Sequence, residues 1–162
     1  MSNQYADIIE IQQILARYVI ALDSRAPHLL LDCFTEDAQL SLGGVPINNI
    51  AEYAKLCETA LPALDATHHH LSLPAIQVEG DRAYARCYFT AQHVKNSLAP
   101  DHSLLIAGWY DDELVRTPQG WRISKRTGTP NWVSGNTAVL NYPMPTGAPP
   151  RGPGHEAPAW MR

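Results

Sequence analysis

Residues 83–94, AYARCYFTAQHV, carry small or apolar side chains at the odd positions Ala83, Ala85, Cys87, Phe89 and Ala91, with mostly polar ones between them, Arg86, Thr90 and Gln92. A period of two marks a strand with one face on a core. Upstream, LSLPAIQV (71–78) and the turn-like EGDR (79–82) complete a β-hairpin with it. Downstream, Leu104 to Arg116, the turn Thr117-Pro118-Gln119-Gly120 and the strand WRISKR (121–126) form a second antiparallel pair. Its proline and glycine sit where a four-residue turn uses them.

The first half of the chain keeps a different period. Ile8, Ile11, Ile14, Leu15, Tyr18 and Leu22 recur at spacings of three and four, which predicts an amphipathic helix over about residues 5–22. It runs out near Asp23-Ser24-Arg25, and Pro27 opens a second short helix through Leu31 and Phe34. A short apolar stretch from Gln39 to Leu42 ends at Gly43-Gly44, and a third helix spans about Ile50 to Leu61, closed by Pro62. Helices followed by a meander of long strands predict an α+β fold, the helices laid on one face of a strongly curved, mostly antiparallel sheet. One domain over residues 1–140 accounts for these elements. The remainder, 141–162, is too rich in proline and glycine for regular structure. It reads either as disordered or as a strap, anchored by Tyr142, Met144, Trp160 and Met161, over its own barrel or a neighbouring subunit.

Composition narrows the function classes. A net charge of -4 offers no basic stripe for a nucleic-acid backbone. Three widely spaced cysteines, Cys33, Cys57 and Cys87, suit neither a disulfide framework nor a zinc knuckle, so a reducing, cytoplasmic setting is expected. No apolar run approaches the roughly 20 residues of a membrane span, and no leader peptide is expected at the start. Neither a phosphate-binding loop nor a nucleophile elbow is present, Gly43-Gly44 being too little for the first.

The candidate chemistry lies in ATHHHLSLP (66–74). Neighbouring strand residues point to opposite faces, so His69 shares its face with Leu71 and Leu73, whereas His68 and His70 share theirs with Ser72. Pro74 disturbs the phase, since Ile76 and Val78 have the other parity, and a bulge is expected there. The same counting turns His93 inward with Phe89 and Ala91. Taken alone, an inward histidine is as well explained by a core ring with satisfied nitrogens. Asp23, at the end of the first helix, supplies a partner if its carboxylate turns back toward the sheet rather than to solvent or to cap the next helix. A carboxylate on one ring nitrogen fixes the tautomer and leaves the other nitrogen to accept a proton. His68 and His70 form an HxH pair without a third ligand at a recognisable spacing, so no metal is expected. Asp111-Asp112-Glu113 reads as a solvated strand end.

The order of a helix ending in ALD, a strand opening THHH, a hairpin containing AQH, the strand AGWYDDELVR and the strand GWRISKR followed by PNW resembles the SnoaL-like branch of the nuclear-transport-factor-2 superfamily. The resemblance covers residues 5 to 136 and implies a conical α+β barrel. In the dehydratases and the dehydrochlorinase of that branch, a helix Asp and a strand His form a dyad, which would fall on Asp23 and His69. The same likeness implies substrate contacts from Tyr18, His93 and Arg126, with Tyr110 where one dehydratase has an Asn. Parity, however, places Arg126 with Arg122 and Ser124, opposite Trp121 and Ile123, so it faces inward only if its strand bulges.

The implied activity is a cofactor-free lyase, a dehydratase, dehydrohalogenase or formaldehyde-releasing enzyme acting on a small apolar, aromatic or polycyclic substrate. The same base would serve an isomerase or cyclase. A non-catalytic module, like the small subunit of ring-hydroxylating dioxygenases, is the alternative. The catalytic relatives suggest a homo-oligomer, a trimer before a dimer.

Overall fold

In the computed structural model, which describes residues 4–140 and 157–161, the apolar stripe of the first helix becomes the inner face of α1 (Gln4–Asp23). It buries Ile11, Ile14, Leu15, Tyr18, Ala21 and Leu22. Pro27 opens a 3-10 segment, Pro27–Asp32, shorter than the helix expected there, and Phe34 instead opens β1 (Phe34–Leu42). β2 (Val45–Ile47) folds back on β1. α2 (Ile50–Ala60) follows, capped by the Asn49 side chain, which accepts from the Glu52 backbone N–H at 2.8 Å. Its inward residues are Ile50, Tyr53, Ala54 and Cys57.

The remaining strands are β3 (Ala66–Leu71), β4 (Ala75–Glu79), β5 (Arg82–Val94), β6 (Ser103–Thr117) and β7 (Gly120–Gly135). The sheet order is β2-β1-β7-β6-β5-β3, with β4 also on β5; all pairs are antiparallel except β1 with β7. The sheet is strongly curved and unclosed, a cone with α1 and α2 on its concave side. Where one long strand was expected before the EGDR turn, the chain makes two. Leu71 pairs with Phe89 and Ala75 with Arg86, so residues 72–74 carry one residue more than the partner strand. That extra residue, at Pro74, is what lets Leu71, Ile76 and Val78 all pair with inward positions of β5 despite their opposite parities.

A second phase change lies in β7. Glu113 pairs with Lys125 but Leu114 with Ile123, leaving Ser124 as an extra residue. Trp121, Ile123 and Arg126 therefore share the inner face, all three fully buried. The β6–β7 turn is latched to the start of α1: Trp121 donates its indole N–H to Asp7 (3.1 Å) and its backbone N–H to Glu10 (2.8 Å), and Arg116 pairs with Asp7 at 2.9 Å. Of the expected anchors in the tail, Tyr142 and Met144 lie outside the described residues. Trp160 stacks on Tyr84 with ring centroids 6.3 Å apart, and Met161 is half exposed. No helix among the described residues is long and apolar enough to cross a membrane.

Candidate active site

Helix α1 ends in a turn that aims its last carboxylate. Arg25 takes the left-handed conformation (φ 54°), and the Ala26 and Arg25 N–H groups bond back to Ala21 and Leu22 in a Schellman-type closure. Glycine is the usual residue there; an arginine costs roughly 1 kcal/mol of backbone strain. Its guanidinium donates to the backbone carbonyls of Leu64 (2.7 Å) and Asp65 (3.1 Å), tying the helix end to the approach to β3.

Asp23 is thereby brought against β3. Its Oδ1 accepts from the Thr67 hydroxyl (2.8 Å) and meets His69 Nδ1 at 2.7 Å; its Oδ2 accepts the His69 backbone N–H at 2.7 Å. Although burial alone would raise it, the two bonds from His69 and that from Thr67 hold the Asp23 carboxyl below its ordinary range. An ionised Asp23 makes Nδ1 the protonated nitrogen, so Nε2 carries the lone pair. The His69 side chain is 7% exposed and lines an inner cavity; His68 and His70 are exposed.

The cavity holds about 240 Å³ between α2, the end of α1 and the inner faces of β3, β5, β6 and β7. Its wall is largely apolar, with Leu22, Leu42, Ile47, Phe89, Ile106 and Pro130, and among the described residues no lysine, arginine, aspartate or glutamate lines it. Its polar groups fall into two sets. The first is His69 with His93, their rings edge to face at 5.4 Å. Burial, reinforced by the neighbouring His69, pushes His93 down to about 4, so it is neutral at pH 7, and its Nδ1 has no hydrogen-bond partner among the described residues.

The second set is three phenols. Tyr18 Oη lies 2.9 Å from Tyr53 Oη, and Tyr110 packs edge to face on Tyr18 at 5.7 Å while stacking on Phe89 at 4.4 Å. Burial raises all three; Tyr53 and Tyr110 stand well above the ordinary phenol range, and Tyr18 less so, because Arg126 and the bond from Tyr53 pull it back. Across the sheet from Tyr110 stands Gly128, where a Cβ would come within 2.9 Å of Leu42 Cδ2 and 3.1 Å of Tyr110 Cε1. Cys57 also lines the cavity, its thiol pushed by burial up to about 11, which makes it a poor nucleophile.

His69, His93, Tyr18 and Tyr110 therefore meet at one cavity, with Asp23 behind His69. Arg126 does not join them. The Ser124 bulge turns it inward as the condition on its parity required, but its guanidinium lies behind the cavity wall, 4.1 Å from the Tyr18 ring and 4.4 Å from that of Tyr110. It makes a twofold bond to Asp112, 2.7 Å on each arm, so the expectation of a direct substrate contact is corrected: Arg126 is 0% exposed and outside the lining. The reading of residues 111–113 as a solvated strand end is corrected with it. Asp112 is 3% exposed; Asp111 pairs with Arg86 at 2.6 Å, and only Glu113, on Lys125 at 3.0 Å, is a surface pair. Thr67 and Tyr53 were missed although signals existed. Thr67 has the parity of His69, and Tyr53 lies on the apolar stripe of α2.

Residues 3–127 match the family model described as SnoaL-like domain. An uncharacterised protein of Mycobacterium tuberculosis is 35% identical over 134 residues, covering 78% of this chain and 86% of that protein. Among solved structures, a protein from Kribbella flavida aligns with a TM-score of 0.80 at 25% identity, over 86% of this chain and 100% of the other. A type 2 hexachlorocyclohexane dehydrochlorinase aligns with a TM-score of 0.73 at 21% identity, over 86% of this chain and 95% of the other, a likeness of fold.

Proposed function

We propose, from the premise that the chain belongs to the SnoaL-like domain family, that it is a lyase drawing both base and acid from its own side chains. The observation that carries this reading is the bond of 2.7 Å between Asp23 and His69 Nδ1 beside an apolar cavity. A scaffold subunit has no use for an imidazole so oriented.

His69 Nε2 takes a proton from a substrate carbon; the C–H electrons become a C=C bond, and the bond to the leaving group breaks. A base so positioned supplies about 10²- to 10⁴-fold in rate. At the opposite set of polar groups, Tyr18 gives its proton to the departing oxygen, which leaves as water, and the proton on His69 then restores the phenol. Neutral His93 avoids placing a second cation beside the imidazolium formed in the first step. Phenols as the available donors favour an oxygen leaving group, which needs a proton, over a halide, which needs none. A lining without charged side chains among the described residues suits an uncharged substrate. A cavity below the range of roughly 300–1,000 Å³ usual for drug-sized ligands suits one of one or two rings.

The test is to offer uncharged cyclic β-hydroxy ketones of one and two rings and to follow loss of water by mass spectrometry. His69→Ala and Asp23→Asn should each lower turnover about 10²- to 10⁴-fold while the protein stays folded. Full activity in either variant sinks the reading, and a wild-type protein that binds these compounds but converts none of them is a binding module instead.

A further inference from the structure

The buried ion pair behind the phenols has no role in the elimination as written, yet both its charges are buried among the described residues. Arg126 and Asp112 are 0% and 3% exposed, and a buried pair is often no more stabilising than apolar residues of the same volume. Its placement is therefore informative. The guanidinium uses Nε and Nη2 on Asp112, while Nη1 has no hydrogen-bond acceptor among the described residues. What faces the cation instead is aromatic: Tyr18 at 4.1 Å, Tyr110 at 4.4 Å and Phe34 at 5.5 Å. A cation against a phenol ring stabilises the phenolate more than the phenol, because only the former carries a charge to be screened.

We propose that the Arg126–Asp112 pair is a positioning device that sets the acidity of Tyr18 from behind the cavity wall, Arg126 promoting loss of the phenol proton and Asp112 limiting it. The inference rests on the proposed function for its use, because Tyr18 is the group that protonates the leaving oxygen there, but its physical content holds without turnover. When Tyr18 gives up its proton, the O–H bond electrons stay on the phenol oxygen, and the new anion lies next to the guanidinium and the Tyr53 hydroxyl. The groups facing Tyr18 are Arg126 from β7, Tyr53 and Cys57 from α2 and Tyr110 from β6. Of these only Arg126 carries a charge at neutral pH, and Asp112 reaches Tyr18 through it. The sequence carries the signal only in part, since Arg126 and Asp112 pair across β6 and β7 but face inward together only with the Ser124 bulge.

The experiment installs 3,5-difluorotyrosine at position 18, whose phenol titrates in the neutral range in water, and follows it by fluorine NMR in the full chain. In Asp112→Asn the guanidinium is no longer neutralised, and the acid constant of residue 18 should rise tenfold or more. In the double variant Arg126→Met with Asp112→Leu it should fall tenfold or more. Opposite signs are not produced by loosened packing. In the double variant neither charge is stranded, so it decides alone if Asp112→Asn fails to fold. A constant within twofold of the unsubstituted background in the double variant, or shifts of the same sign in both, overturns the proposal. His69→Ala should leave this titration in place, which separates failure here from failure of the dyad.

Discussion

At the His69 end of the cavity, one carboxylate is reached by three donors within 2.8 Å and keeps about a quarter of its side chain open to solvent; at the Tyr18 end, five side chains from four elements share a buried cluster. The first end is built simply, from a helix end and two alternate positions of one strand, Thr67 and His69. The second is built by convergence of α1, α2, β6 and β7. Simple construction lets a functional group be removed with little harm to the fold, whereas a convergent cluster couples function to stability.

The sharpest way to break this contrast is to truncate one residue at each end. Asp112→Ala leaves the Arg126 guanidinium buried without its partner and should destabilise the protein by about 3–5 kcal/mol in urea unfolding, while His69→Ala should change it by about 1 kcal/mol or less. Equal losses would erase the distinction. Next in size is the effect of pH on His93, which lies at the first end but is deeply buried. The folded protein refuses a proton that the unfolded chain accepts below about 6.5. Stability is therefore full above that value and falls as pH drops toward the folded value of about 4. The loss should total on the order of 3 kcal/mol, and His93→Gln should flatten that part of the urea-midpoint profile.

A smaller effect sharpens the account of Asp23. Its lowered pKa contributes stability that is present above the unfolded carboxyl value of about 3.9 and is lost as pH falls through the lower folded value. Thr67→Val removes one donor, so the acid-induced loss should be smaller and complete at a higher pH, and about 1 kcal/mol should disappear at pH 7. Smallest of all, His68→Ala should leave stability within about 0.5 kcal/mol, since the side chain is exposed on the opposite face of β3. A large loss there would mean that the face assignment of the triplet is wrong.

The same contrast explains what could be read in the chain beforehand. His69, His93 and the stripe of α1 follow from periodicity, which needs only neighbours in sequence. The direction of Asp23 was less accessible, because it depends on a left-handed Arg25 anchored on carbonyls 39 and 40 residues away. Arg126 turns inward because one extra residue, Ser124, reverses the parity of β7 from there to the next irregularity near Asn131, whereas Asp112 already had the inward parity of Tyr110 and Leu114 on β6 and was misread from its charged neighbours. Nothing in KRTGTP marks that insertion, and its cause is the pairing with β6. The phase break at Pro74 could be foreseen because proline cannot donate to a ladder.

Gly128 decides how wide the bore can be. With no side chain opposite Tyr110, the cone keeps room there that a methyl group would crowd, pressing on that ring and on Leu42. A change to alanine is therefore a size gauge: it should leave the Asp23–His69 pair in place while narrowing what the cavity admits.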